Sequence, residues 1–209
     1  MFMIAFEDKM RAGGAAAVKQ MGEFFMGTDP VHVTLKNITK KLDELGIKYA
    51  AAGALALGAH GHVRNTVDVD ILVTREGSRR IHEKLDGLGY VPPFTGSRNL
   101  RDTSNGVRIE FLITGEFPGD GKPKPIAFPD PTEAATEIDG IRYLNLPTLI
   151  ELKLASGMTN PGRLKDLADI QELIKHAKLP RSLGHQLNPY VTDKFFELYD
   201  SIQPDVHEQ

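Results

Sequence analysis

YAAAGALALGAHGHVRNTVDVDILVT, residues 49–74, carries the most informative pattern in this 209-residue chain. Its centre, Val67-Asp68-Val69-Asp70-Ile71-Leu72-Val73, is rich in β-branched residues and reads as a strand. Alternate side chains of a strand share a face. Asp68 and Asp70 therefore point one way, about 7 Å apart, while Val67, Val69 and Ile71 point the other way into a core. Two carboxylates on one face of an apolar strand repel each other and resist burial. A cation between them relieves both problems, and a hard divalent ion such as Mg2+ prefers carboxylate oxygens. The solvated face of an edge strand would give the same Asp-x-Asp pattern.

The residues before the pair weigh against that plainer account. Ala51-Ala52-Gly53-Ala54-Leu55-Ala56-Leu57 reads as a strand end, a glycine turn and a short helix. Gly61 breaks the helix, and Arg64-Asn65-Thr66 leads into the strand. A glycine turn that opens a helix exposes backbone N–H groups at a positive dipole end, which suits phosphate.

Taken in this order, the segment resembles the nucleotidyltransferase superfamily, which shares the DNA polymerase β-like catalytic core. Ala-Gly-x-x-Ala, then His60-Gly61, then Arg64-x-Thr66-x-Asp68-x-Asp70 looks most like the minimal bacterial branch that includes AbiEii-type toxins. The resemblance runs through residues 47–73 and, more loosely, residues 146–173. It implies an α+β fold: a small mixed sheet flanked by helices, with a C-terminal helical region. The core would span residues 1–146 and the helical region 147–209. One departure is Ala54, where many members carry Gly or Ser; it supplies no hydroxyl to a phosphate.

Outside the motif, the pattern orders the chain. Apolar residues Met10, Val18, Met21, Phe24 and Phe25 lie at loose helical spacing in residues 5–27, facing a core or a second subunit. Thr28-Asp29-Pro30 starts a helix whose stripe is Val31, Leu35, Ile38, Leu42 and Leu45, and Gly46 ends it. Ile47–Ala51 is expected as a strand. Glu76–Leu88 is expected as a helix with Ile81, Leu85 and Leu88 inward. Residues 99–103 and 107–113 read as strands joined by Ser104-Asn105-Gly106. Thr114–Pro131 is a long Pro- and Gly-rich loop, a kind usually functional or mobile. Asp139-Gly140 marks a second hairpin. From Leu146 the chain reads as helical, with an amphipathic tail through Ile202 and frayed residues 203–209.

Glu110 shares a strand face with Arg108 and Leu112, opposite Val107, Ile109, Phe111 and Ile113. In the resembled superfamily a third carboxylate stands on the strand beside Asp-x-Asp, and Glu110 fits that place. An Arg108–Glu110 surface pair is the alternative. If the strands are neighbours in register, Arg108 also faces the site and is placed to neutralise an incoming phosphate. The Lys153…Arg163-x-x-Asp166-x-x-Asp169 segment resembles helices that follow the core in the minimal branch. Ordinary helix surface, with Arg163–Asp166 and Lys165–Asp169 pairs, would give the same pattern.

The resemblance implies a metal-dependent transfer of a nucleoside monophosphate from an NTP. Asp68, Asp70 and Glu110 would hold two Mg2+ or Mn2+ ions, with Glu110 on the nucleophile side. Gly53 and Ala54 would offer backbone N–H groups to the triphosphate. Arg64 and Thr66 would orient the motif loop or touch phosphate, and Lys153 would reach the nucleotide. The acceptor would be an RNA 3′ end or a protein hydroxyl, and a toxin role would bring an antitoxin protein as partner. A catalytically quiet nucleotide- or partner-binding module of the same fold is the competing reading, as is a phosphohydrolase. No cysteine is present, which excludes disulfides and thiol chemistry. His60-Gly61-His62 lacks further ligands at zinc-like spacing, and no Walker or Rossmann loop is present. With 41% hydrophobic and 25% charged residues and no run long enough to span a bilayer, the chain reads as a cytoplasmic globular protein. A net charge of −3 leaves any polynucleotide to be gripped by a local patch.

Overall fold

A computed structural model describes residues 5–11 and 14–202. In chain order the helices are α1 (Phe6–Arg11), α2 (Gly14–Phe25), α3 (Pro30–Glu44), α4 (Gly53–Ala59), α5 (Arg75–Leu85), α6 (Pro131–Ala134), α7 (Leu146–Thr159), α8 (Leu164–His176) and α9 (Pro189–Ser201). The strands are β1 (Tyr49–Ala51), β2 (Asp68–Val73), β3 (Tyr90–Val91), β4 (Leu100–Asp102), β5 (Arg108–Ile113), β6 (Ala135–Ile138) and β7 (Ile141–Leu144). They form one mixed sheet in the order β3-β4-β5-β2-β1-β7-β6. β2 and β5 run parallel at its centre, and β1 joins β2 antiparallel and β7 parallel. Among the described residues no helix is long and apolar enough to cross a membrane.

Strand alternation gives the two sheet faces different covers. Val69, Ile71 and Val73 of β2 and Ile109, Phe111 and Ile113 of β5 pack with α3, α5, Phe6 and Phe24. The α3 stripe is legible: the Asp29 carboxylate accepts from Val31 N–H at 2.8 Å, Pro30 opens the first turn, and Val31, Leu35, Ile38 and Leu42 are buried. Gly46 follows at φ 64°, as a glycine after a helix end does. On the opposite face, Ala50, Ala52 and Leu72 share a second core with Leu57 of α4 and with apolar residues of α7, α8 and α9. The C-terminal helices thus cover the face that carries Asp68 and Asp70.

Two local expectations change. Val18, Met21 and Phe25 are exposed, and among the described side chains of α2 only Phe24 is buried: α1 and α2 pack on each other, Phe6 and Phe24 enter the core, and the far side of α2 is open. The helix expected to reach Leu88 stops at Leu85, and Leu88 is 74% exposed. Gly87 and Gly89, both at positive φ, turn the chain there into β3, a two-residue edge strand too short to show periodicity. The loop after β5 is anchored at several points. Phe128 N–H donates to Glu116 O at 2.8 Å, Lys124 Nζ to Pro118 O at 2.7 Å, and Ile126 is buried. Gly119 packs so closely on α7 that a Cβ there would stand 2.3 Å from Thr159 Oγ1. The expected frayed segment 203–209 lies outside the described residues, as does Gly13 in the N-terminal stretch.

Candidate active site

β2 and β5 pair in register, Asp68 opposite Arg108 and Asp70 opposite Glu110. Four side chains of one sheet face therefore form a square of three carboxylates and one guanidinium. Neighbouring strands stand about 4.8 Å apart. Glu110, expected beside the Asp pair, is there. Arg108 donates to Glu110 and lies 3.9 Å from Asp68 Oδ2. Thr66 Oγ1 donates to Asp68 Oδ1 at 2.6 Å, so Thr66 orients the first carboxylate from the loop before β2.

Asp70 makes no ion pair among the described residues. Burial, and then the charge of Asp68, push its carboxyl up to about 6, with Lys153, Arg163 and Arg108 pulling the other way. Its neighbour is the glycine turn. Ala52 N–H donates to Asp70 O at 2.9 Å, and Gly53 stands at φ 60°. A Cβ on Gly53 would sit 1.9 Å from Asp70 Oδ2. Glycine is needed there twice over, for the backbone conformation and for the approach of the carboxylate. Gly53 and Ala54 open α4, where the first N–H groups have no partner within the helix. The Ala54 side chain turns inward and is 5% exposed.

Arg64 and Lys153 belong to a different arrangement. Arg64 grips Asp169 with two hydrogen bonds, Nε at 2.6 Å and Nη2 at 2.9 Å. Lys153, 7% exposed, donates to Asp169 at 2.7 Å and Asp166 at 2.8 Å. Ser156 Oγ adds a bond to Asp166 at 2.6 Å. Burial raises the Asp169 carboxyl, and the bonds and charges of Arg64 and Lys153 reverse that, holding it below the usual carboxylate range. This network ties α7 and α8 to the loop that enters β2. Arg64 thus ties the loop before β2 to α8, and the charge of Lys153 acts on Asp70.

Two further cations from the segment 163–169 act on the aspartate pair through their charge. The charge of Arg163 reaches Asp70. Lys165 is exposed, makes no ion pair among the described residues, and feels the charge of Asp68. Asp169, its i,i+4 partner in the plainer helix-surface reading, turns inward to Arg64 and Lys153. Asp169 is 3% exposed, and burial on the apolar side of α8 was the signal available. His60 caps α4 and its Nε2 lies 2.7 Å from Leu144 O, a structural contact.

Three oxygen-bearing acids on adjacent positions fit a hard divalent ion in chemistry. They are not drawn together: among the described residues no three His, Cys, Asp or Glu side chains converge closely enough to hold one. Glu110 is turned to Arg108.

No family model matches the chain, and no curated protein matches it. Its fold matches solved structures. One is ANT(2″)-Ia, crystallised in complex with adenylyl-2″-tobramycin: TM-score 0.51 and 14% identity over 80% of this chain and 97% of that one. Two others, from Thermotoga maritima and H. pylori, carry unproven assignments as nucleotidyltransferases. Their TM-scores are both 0.43, with 16% and 17% identity; they cover 68% and 90% of this chain and 91% and 82% of their own. The chain has the nucleotidyltransferase fold.

Proposed function

We propose that the β2/β5 face transfers a nucleoside monophosphate from an NTP to a hydroxyl acceptor, releasing pyrophosphate. The observation that carries this reading is the in-register square of Asp68, Asp70, Arg108 and Glu110 beside the Gly53 turn. The match to ANT(2″)-Ia supports it at the level of the fold.

Asp68, Asp70 and Glu110 are the residues that would hold Mg2+ or Mn2+. A divalent ion bound there supplies charge neutralisation to the triphosphate and a more acidic attacking hydroxyl. The remaining work belongs to the chain. Gly53 and Ala54 N–H groups receive phosphate oxygens at the start of α4. Arg163 and Lys165 give the rim its positive charge and attract the anionic substrate. Thr66 fixes the Asp68 carboxylate, and the Arg64–Asp169 clamp fixes the loop that carries Thr66. Glu110 accepts the proton of the attacking hydroxyl.

The resemblance to AbiEii-type toxins brings RNA 3′ ends and protein hydroxyls into this reading as acceptors, and an antitoxin as partner. α-Labelled NTPs, each with Mg2+ or Mn2+ and separate RNA and protein fractions, test it. Label on a macromolecule, lost in Asp70→Asn, supports transfer. Free monophosphate means hydrolysis. Binding without turnover points to the quiet module, a reading favoured by Ala54, which offers no hydroxyl and faces inward.

A further inference from the structure

Among the described residues the three acids expected round a metal do not converge, and Arg108 stands between two of them. It stands on the same sheet face, opposite Asp68 and two residues before Glu110. Its guanidinium holds Glu110 and reaches toward Asp68. An arginine fork satisfies carboxylate oxygens in the directions that a cation would use. We propose that Arg108 is a resident counter-ion: it occupies the carboxylates in the free protein, must leave them when a divalent ion binds, and then takes the phosphate that arrives with that ion. The inference rests on the nucleotidyltransferase reading of the site.

Exclusion follows from shared oxygens. Glu110 Oε1 and Asp68 Oδ2 face the guanidinium, and the same atoms are the donors open to a metal. Asp68 Oδ1 is already taken by Thr66. The Arg108 side chain is 39% exposed, so it has room to swing. It has little else to swing to. Glu7 feels its charge but is held by Arg101 through two bonds, at 2.9 and 2.8 Å. A triphosphate is the anion that would receive the released guanidinium, and an exposed arginine binds phosphate oxygens as a fork. Ion and nucleotide therefore help each other bind: the ion frees the arginine, and the nucleotide takes it. The ion alone is disfavoured, because it strands a guanidinium.

Mn2+ titration followed by electron paramagnetic resonance of the free ion tests this, with and without a non-hydrolysable NTP analogue. The proteins are wild type, Arg108→Gln, Arg108→Lys and Asp70→Asn. Without nucleotide, Arg108→Gln is expected to bind Mn2+ about two- to fivefold more tightly than wild type, the gain from removing an exposed competing pair. Arg108→Lys, which keeps the charge without the fork, should lie between them. Nucleotide should tighten Mn2+ binding by wild type and do so far less in Arg108→Gln. Equal or weaker Mn2+ binding by Arg108→Gln, with binding still weakened by Asp70→Asn, overturns the counter-ion role and leaves the site reading intact. Mn2+ binding that Asp70→Asn leaves unchanged places the ion elsewhere and overturns both.

Discussion

Two charge clusters lie within reach of each other, and they are built in opposite ways. Around Asp169, two acids (Asp166, Asp169) meet two bases (Arg64, Lys153) through hydrogen bonds of 2.6–2.9 Å, and the central acid is 3% exposed. On the β2/β5 face, three half-buried acids share one base, and Asp70 has no ion-pair partner among the described residues. The first cluster is closed: every charge has a partner, and the Asp169 carboxyl is held low. The second is open, and the Asp70 carboxyl is pushed up to about 6. Similar residue types therefore serve opposite ends. A balanced cluster ties α7, α8 and the β2 entry loop together. An unbalanced one stores a demand for positive charge.

The same chemical change, Asp to Asn, should separate the two. At Asp169 it leaves Arg64 and Lys153 facing a neutral amide inside the protein. Removing one partner of a buried pair costs several kcal/mol, so Asp169→Asn is expected to destabilise by about 3 kcal/mol in urea unfolding. Gly53→Ala comes next. Positive φ and the overlap with Asp70 Oδ2 together should cost about 2 kcal/mol, with the carboxylate displaced. Asp70→Asn should do the reverse of Asp169→Asn: removing a repelled charge leaves the chelator-treated protein as stable as wild type or up to about 1 kcal/mol more stable.

The last contrast is a dependence on pH. Folded Asp70 holds its proton more tightly, at about 6, than an unfolded aspartate does, at about 3.9. A carboxyl raised in this way weakens the fold when ionised. The melting temperature of the metal-free protein should therefore rise as pH falls from 7 toward 5, and this rise should vanish in Asp70→Asn. Asp169 runs the other way: its lowered carboxyl supports the fold above about pH 4, and that support is lost as acid protonates it. A flat wild-type profile between pH 7 and 5 would erase the contrast between the clusters.

How legible was this arrangement in the sequence? Strand alternation alone put Asp68 and Asp70 on one face, and the structure keeps them there. It also put Glu110 with Arg108, because one strand of alternating burial sufficed. Local chemistry also settled α3, where Asp29, Pro30 and Gly46 mark both ends. What the sequence left out depended on partners distant along the chain. Lys165 and Asp169 have helical spacing for a pair, but Arg64, 105 residues from Asp169, claims the acid first. Gly53 read as a phosphate turn; its approach to Asp70 needed the fold. The exposed side of α2 and the short β3 had no local signal strong enough to place them. The convergence of three acids on a metal was expected from resemblance; Glu110 instead pairs with Arg108, its neighbour on the same strand face.

The central claim is that the open cluster takes a divalent ion together with a nucleotide. Crystals soaked with Mn2+ and a non-hydrolysable NTP analogue test it most directly, using the anomalous signal of manganese. The account requires a manganese peak bounded by Asp68, Asp70 and Glu110, phosphate oxygens against the start of α4, and Arg108 moved from Glu110 to phosphate. A peak elsewhere, or nucleotide bound with Arg108 still on Glu110 and no manganese at the aspartates, would contradict it.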